Sequence, residues 1–396
     1  MTKVYSKAID KTIVVERIIA KTKGHQEGPT MVFFAGIHGN ETAGVFALEA
    51  VLKNLNPKTI NGTVYGISGN LSALKINQRY IDQDLNRLWT REQLEDLLFK
   101  DNYTIEEREQ LELFRLLKQI LKSNSGPFYF IDFHTTSSET LPFITINDAI
   151  INRKFSKLFP VPIVLGIEEY LNGPLLSYIN ELGYVSLGFE SGQHDEIEAI
   201  DNCKSFIYLA LVYTKIMSKE LVIGFKAHYT ILKSNANALS KIFEVVYLHQ
   251  IRENDMFKMK EGFQSFQSID KGIILATSNL KEIKSTHNAR LFMPLYQNKG
   301  AEGYFIIKPI NPFFLSLSAS LRHLKFDGVL VLFPGIAWIN SKKEGLRVNL
   351  KVAKIFTKAI FHLLGYRNKQ VSANHMLLYN RERNSKTESY KSESWY

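Results

Sequence analysis

The chain is almost devoid of cysteine. Its one thiol, Cys203, can neither close an internal disulfide nor build a multi-thiolate metal site, so any metal must be held by histidines and carboxylates. A long apolar run is missing too. The longest, residues 328–339, is broken by Pro334 and is too short to cross a bilayer, so no transmembrane segment is expected. The opening stretch MTKVYSKAIDKTIVVERIIAK interleaves charge with apolar residues and has no secretory pattern, which makes the cytoplasm the expected compartment. Dense basic runs, internal repeats and low-complexity tracts are also absent. The 49 Lys and Arg against 39 Asp and Glu give a net charge of +10, but they are spread along the chain and read as a solvated surface. Neither nucleic acid nor a membrane is an expected partner.

What is present is a chain able to bury a large core. Its 45% hydrophobic and 12% aromatic residues exclude global disorder and fibrous classes, and 396 residues exceed what one core usually supports. Up to about residue 218, β-rich runs at 31–35, 63–67, 128–133, 162–165 and 184–189 alternate with helical periodicity at 42–55, 105–122, 173–182 and 196–217. That alternation predicts an α/β fold, a mostly parallel sheet flanked by helices. Beyond it, runs at 222–232, 242–251, 272–277, 290–296 and 304–310 read as strands with short connections. The expected organisation is a catalytic domain over 1–218, a smaller β-rich domain capping it over 219–310, and an α/β extension over 311–380. That extension carries a strand at 328–333 and a helix at 348–364, and the polar tail at 381–396 reads as disordered.

The residues that carry chemistry sit at strand ends. AGIHGNETAG, residues 35–44, follows the apolar run MVFF; His38 and Glu41 stand three apart, so one helical turn points both to the same side. Alone, the pair reads as a solvated loop. His134 is the exit residue of the buried run FYFIDF, and alone it reads as a core histidine bonded to a carbonyl. Glu190 ends GYVSLGFE, where an isolated glutamate reads as a surface or ion-pair residue. All of these occupy the carboxyl end of an expected strand, where open α/β sheets build their crevices. Two imidazoles and one carboxylate are the ligand set of a catalytic zinc site with its fourth position open to water, one ion per chain. Glu190 is then the candidate general base that takes the water's proton and returns it to the leaving amine. Asp132 is either an acceptor orienting a ligand imidazole or an inert strand-end residue. In QRYIDQDLNRLW, residues 78–89, Arg79, Asn86 and Arg87 suit an anionic substrate, the guanidinium fork matching a carboxylate.

Taken together, GIHGNE, RYIDQDLNR, DFHTT and GFESGQ resemble the aspartoacylase and succinylglutamate desuccinylase family, relatives of the zinc carboxypeptidases. The resemblance covers residues 30 to 200. It implies a carboxypeptidase-like mixed sheet, zinc held by His38, Glu41 and His134, and Glu190 as acid/base. It also implies that Arg79 polarises the scissile carbonyl while Asn86 and Arg87 hold the substrate's carboxylate. Asn180 stands where aspartoacylases place an arginine for the aspartate carboxylate, and Leu71 follows Asn70 where the family often has proline. Tyr304 is the nearest candidate for a tyrosine reaching the site from the C-terminal domain, against a plain strand aromatic. The expected reaction is hydrolysis of a linear amide in a small anionic N-acyl amino acid by zinc-activated water. Two rivals are a metallocarboxypeptidase or amidase acting on peptides and a non-catalytic metal-binding protein; a homo-oligomer is left open.

Overall fold

The computed structural model describes residues 1–349, 351–352, 358–372 and 375–396. Its dominant element among these residues is a mixed sheet of eleven strands. The centre of that sheet is parallel: Gln26–Ala35 lies between Asn61–Ser68 and Phe128–Thr136, and Phe128–Thr136 pairs in turn with Val185–Gln193. Both faces are covered, which is why these strands read as near-continuous apolar runs. Phe33, Ala35, Ile131, Phe133, Leu187 and Phe189 point into one core, which helices Ala43–Leu52 and Ile197–Tyr213 complete. Val32, Phe34, Ile67 and Phe130 point the other way, into a core completed by helices Ile105–Ser123 and Leu175–Glu181. Helix Ile105–Ser123 begins in a capping box, Thr104 Oγ1 accepting from the Glu107 N–H and the Glu107 carboxylate from the Thr104 N–H.

Register positions the site. Ala35 is level with Phe133, Phe133 with Phe189, and His134 with Glu190, so three parallel strands end side by side. Beyond Val185–Gln193 the sheet continues through antiparallel Phe143–Ile146 and then Ile163–Leu165. The β-rich segment joins this same sheet. Ile242–Gln250 pairs in parallel with Ile163–Leu165, and Glu302–Pro309, Ala289–Phe292 and Ser268–Ile269 follow antiparallel, covering what would be an open edge. A separate three-stranded sheet comprises Phe257–Met259, Ile274–Ser278 and Lys281–Lys284.

Four sequence expectations are corrected. The run 222–232 is not a strand: Phe225–Asn235 is a helix lying on Ile197–Tyr213, with His228 stacked on Tyr208 at 4.6 Å. The β-branched Val222 and Ile223 that suggested a strand lie before it, and Gly224 with φ of +71° starts the helical turn. The run 328–333 contains the short helix Asp327–Leu330, because a brief apolar run carries no period that separates strand from helix. The helix expected over 348–364 appears only as Lys358–Leu363, preceded by strand Gly345–Asn349; residues 350 and 353–357 lie outside the described residues.

The tail is the fourth correction. Its polar composition hides Tyr390 and Trp395, which insert into an aromatic cluster with Tyr129 and Phe155. The Tyr390 hydroxyl donates to the Phe128 carbonyl and accepts from the Val185 N–H, bridging two central strands. The preceding segment, helix Pro312–His323 and the four-stranded antiparallel sheet of Ile336–Trp338, Gly345–Asn349, Tyr366–Ser372 and His375–Asn380, is anchored by buried ion pairs. Arg322 donates to the Asp148 carbonyl and carboxylate at 2.6 Å each, and Arg381 meets Glu168 at 2.9 Å and Glu169 at 3.1 Å. Among the described residues no helix is long and apolar enough to cross a membrane.

Tyr390→Phe removes the acceptor of a buried amide and should cost about 1–3 kcal/mol. Urea unfolding should show it as a lower midpoint at unchanged m-value, whereas an unchanged midpoint would put the tail outside the cooperative unit. Burial alone would raise the Asp148 carboxyl, but Arg153 and Arg322 outweigh it and hold the group well below the usual carboxylate range. A group depressed on folding contributes stability above its unfolded value near about 4 and loses it as pH falls through the folded one. The thermal midpoint of Asp148→Asn should therefore start lower at neutral pH and fall less steeply below about pH 4 than that of the unaltered chain.

Candidate metal centre

The loop after Gln26–Ala35 must reverse sharply to deliver two side chains over the strand end. Gly36 does so at φ of +70°, and a side chain at Gly39 would lie 2.2 Å from the Ala73 backbone. Both positions therefore require glycine. The turn sets His38 and Glu41 beside His134, which leaves the neighbouring strand; all three are buried, at 4%, 3% and 8% exposure. Their donor atoms lie within 4.8 Å of one another.

Glu41 is the hub. One of its oxygens lies 2.7 Å from His38 Nδ1 and the other 2.8 Å from His134 Nδ1, and the Thr135 N–H donates to the second at 3.2 Å. Burial would raise its pKa, but the two imidazoles outweigh burial and hold the carboxyl well below its ordinary value. The far nitrogen of each ring is held by a second carboxylate. Asp84 meets His38 Nε2 at 3.0 Å, and Asp132 meets His134 Nε2 at 2.8 Å. Of the two readings left open for Asp132, the geometry supports the orienting acceptor. This arrangement fixes both rings with Nδ1 turned inward, the task that outer carboxylates perform around metal-ligating histidines. Two inward imidazole nitrogens and one carboxylate fit a divalent cation such as zinc.

Glu190, 7% exposed, lines the same cleft, and its Oε2 is buried without a hydrogen-bond partner. Burial pushes its pKa up to about 8; nearby His134 pulls it down, while Glu41 and Asp132 reinforce the rise. Arg79 is clamped by Asp84 through Nε at 3.2 Å and Nη2 at 2.9 Å, which leaves Nη1 facing the Glu41 carboxylate at 3.6 Å. Asn86 accepts from the Leu175 N–H at 2.9 Å and lines the cleft beside Arg87. Arg87 reaches across the cleft to Glu302, with Nη2 at 2.9 Å and Nε at 3.3 Å from one oxygen.

The cleft has a cavity volume of about 130 Å³. The β-rich segment roofs it with Met293, Pro294, Leu295, Gln297 and Glu302. Tyr304 does not reach it, which corrects that expectation. Its ring is 1% exposed and stacks on His249 at 5.2 Å, on the side of its strand opposite Phe305, which does line the cleft. Two residues of the site were missed by sequence reasoning. Asp84 stands inside the same motif as Arg79 and Asn86, where it is one of two aspartates with Asp82; Glu302 had no local signal.

Residues 27–199 match the succinylglutamate desuccinylase/aspartoacylase catalytic domain. A succinylglutamate desuccinylase of Photorhabdus laumondii is 35% identical over 114 residues, 28% of this chain and 35% of the relative. A probable aspartoacylase of Acaryochloris marina is 31% identical over 124 residues, 30% of this chain and 39% of the relative. The matched stretches thus span less than half the length of these relatives. In fold, the chain is similar to the crystal structure of a succinylglutamate desuccinylase/aspartoacylase from Rhodobacter sphaeroides, with a TM-score of 0.55 at 16% identity over 74% of this chain and 88% of that one. It is also similar to the product-bound ectoine utilization protein EutE (DoeB) from Ruegeria pomeroyi, with a TM-score of 0.54 at 15% identity over 73% and 87%.

If Asp84 and Asp132 orient the inward nitrogens, Asp132→Asn and Asp84→Asn should each weaken zinc binding by about 10–100-fold, read by competition with a chromophoric chelator. Unaltered affinity in both would make these carboxylates bystanders.

Proposed function

We propose, from the match of residues 27–199 to the succinylglutamate desuccinylase/aspartoacylase catalytic domain, that the chain hydrolyses the linear amide of a small N-acyl amino acid or related carboxylate-bearing compound. The observation that carries this reading is the convergence, at the ends of three parallel strands, of the His38, Glu41 and His134 donors with the unpartnered oxygen of Glu190. A divalent cation held by those three donors, zinc in the first place, supplies Lewis acidity toward water and the scissile carbonyl.

The chain's own groups do the rest. Glu190 accepts a proton from water as the water oxygen attacks the carbonyl carbon, and its raised proton affinity suits it to return that proton to the nitrogen as the C–N bond breaks. The products are a free amine and a carboxylate. Arg79, held in place by Asp84, presents Nη1 toward the charge that develops on the carbonyl oxygen. Asn86 and Arg87, which line the same cleft, are the groups suited to the substrate's carboxylate. The roof formed by residues 293–305 supports small substrates over peptides, because a polypeptide needs an open groove.

Glu190→Gln keeps shape and burial but removes the base. The variant should bind one zinc per chain by elemental analysis and lose at least about 100-fold in turnover of acylated amino acids. Chelation should abolish activity of the unaltered protein and zinc should restore it. Activity persisting after complete metal removal would overturn the mechanism, and metal loss in the Gln variant would make Glu190 a ligand.

A further inference from the structure

Both arginines in the cleft already face carboxylates. Arg79 directs Nε and Nη2 at Asp84, and Arg87 directs Nε and Nη2 at a single oxygen of Glu302 while its Nη1 donates to the Asn86 carbonyl at 2.9 Å. The two-donor edge that a bare carboxylate would need on Arg87 is therefore taken by the protein itself. The cleft lining as a whole carries two guanidiniums, Arg79 and Arg87, against four carboxylates, Glu41, Glu168, Glu190 and Glu302. Glu168 in turn is met from behind by Arg381 at 2.9 Å. Such a lining offers a substrate bearing two carboxylates no surplus positive charge of its own side chains.

Glu302 comes from the roof strand and Arg87 from the turn Leu85–Arg87, and both side chains are partly exposed, Glu302 at 16% and Arg87 at 23%. A ligand group that arrives here meets a cation and an anion side by side. The group that complements both is a zwitterion. Its carboxylate lies against Arg87 and Asn86, and its ammonium lies against Glu302, so neither charge of the protein's pair is stripped of its counter-ion.

We propose that Glu302 is a specificity-determining residue, and that the amine half of the substrate is an α-amino acid with free ammonium and carboxylate, acylated on its side-chain nitrogen. This rests on the hydrolase reading above and narrows its substrate class. An Nα-acylated dicarboxylate would place a second negative charge beside Glu302, which the pairing disfavours.

The test uses the zinc-loaded full chain with side-chain-acetylated diamino acids of increasing side-chain length, their deaminated ω-acetamido acids, and N-acetylglutamate. The expected result is a kcat/KM for the zwitterionic series at least about tenfold above both other classes, with Glu302→Gln lowering that preference about tenfold and Glu302→Asp retaining most of it. Calorimetric binding of the free diamino acids and of their deaminated counterparts to zinc-loaded Glu190→Gln gives a second readout that does not depend on turnover. Equal affinities, or a preference for N-acetylglutamate that Glu302→Gln leaves unchanged, would overturn the proposal while leaving the hydrolase reading intact. Preferential binding of the zwitterions with no acylated amino acid cleaved by the unaltered enzyme would support Glu302 as the group that selects a zwitterion and defeat the hydrolase reading instead.

Discussion

A carboxylate 3% exposed to solvent is held between two imidazoles, and most of what surrounds it exists to make that arrangement tolerable. A buried charge without counter-charges is costly, so Glu41 requires the two rings, and the rings, once drawn inward, require Asp84 and Asp132 behind them. Asp84 then needs Arg79, which completes a chain of alternating charge from the strand end to the cleft wall. A divalent cation at the inward nitrogens would settle into a frame in which every donor already has its orientation fixed.

That frame stands on strand register. A shift of one residue between Phe128–Thr136 and Val185–Gln193 would turn Glu190 into the core and bring Phe189 to the cleft, because side chains alternate along a strand. The apolar faces set against the two helical layers fix this register, so the packing of Phe133, Phe189 and Phe206 also governs where the Glu190 carboxylate points.

Much of this was legible in the chain. His38, Glu41, His134 and Glu190 could be brought together before any coordinates, since each follows an apolar run whose end in an α/β sheet is a known position. The central strands and the helices over them were legible for the same reason, a period that matched the burial. What was not legible depends on partners far away in sequence. Glu302 meets Arg87 across 215 positions, and nothing within its own neighbourhood marks it. Helix Phe225–Asn235 carried strand-like residues at its entrance, and the tail's charge masked two aromatic side chains whose destination was the core. Composition describes a segment's average, while Tyr390 acts through one hydroxyl.

That hydroxyl has a consequence for how the protein is made. Tyr390 ties the Phe128 carbonyl and the Val185 amide from positions 262 and 205 residues later in the chain. A nascent polypeptide emerging from the ribosome at about 5–20 residues per second holds those central strands for on the order of ten seconds or more before the aromatic plug arrives. Until then the Phe128 carbonyl and the Val185 amide lack the partner that the folded chain gives them, so the last contacts of these central strands depend on sequence lying well beyond them.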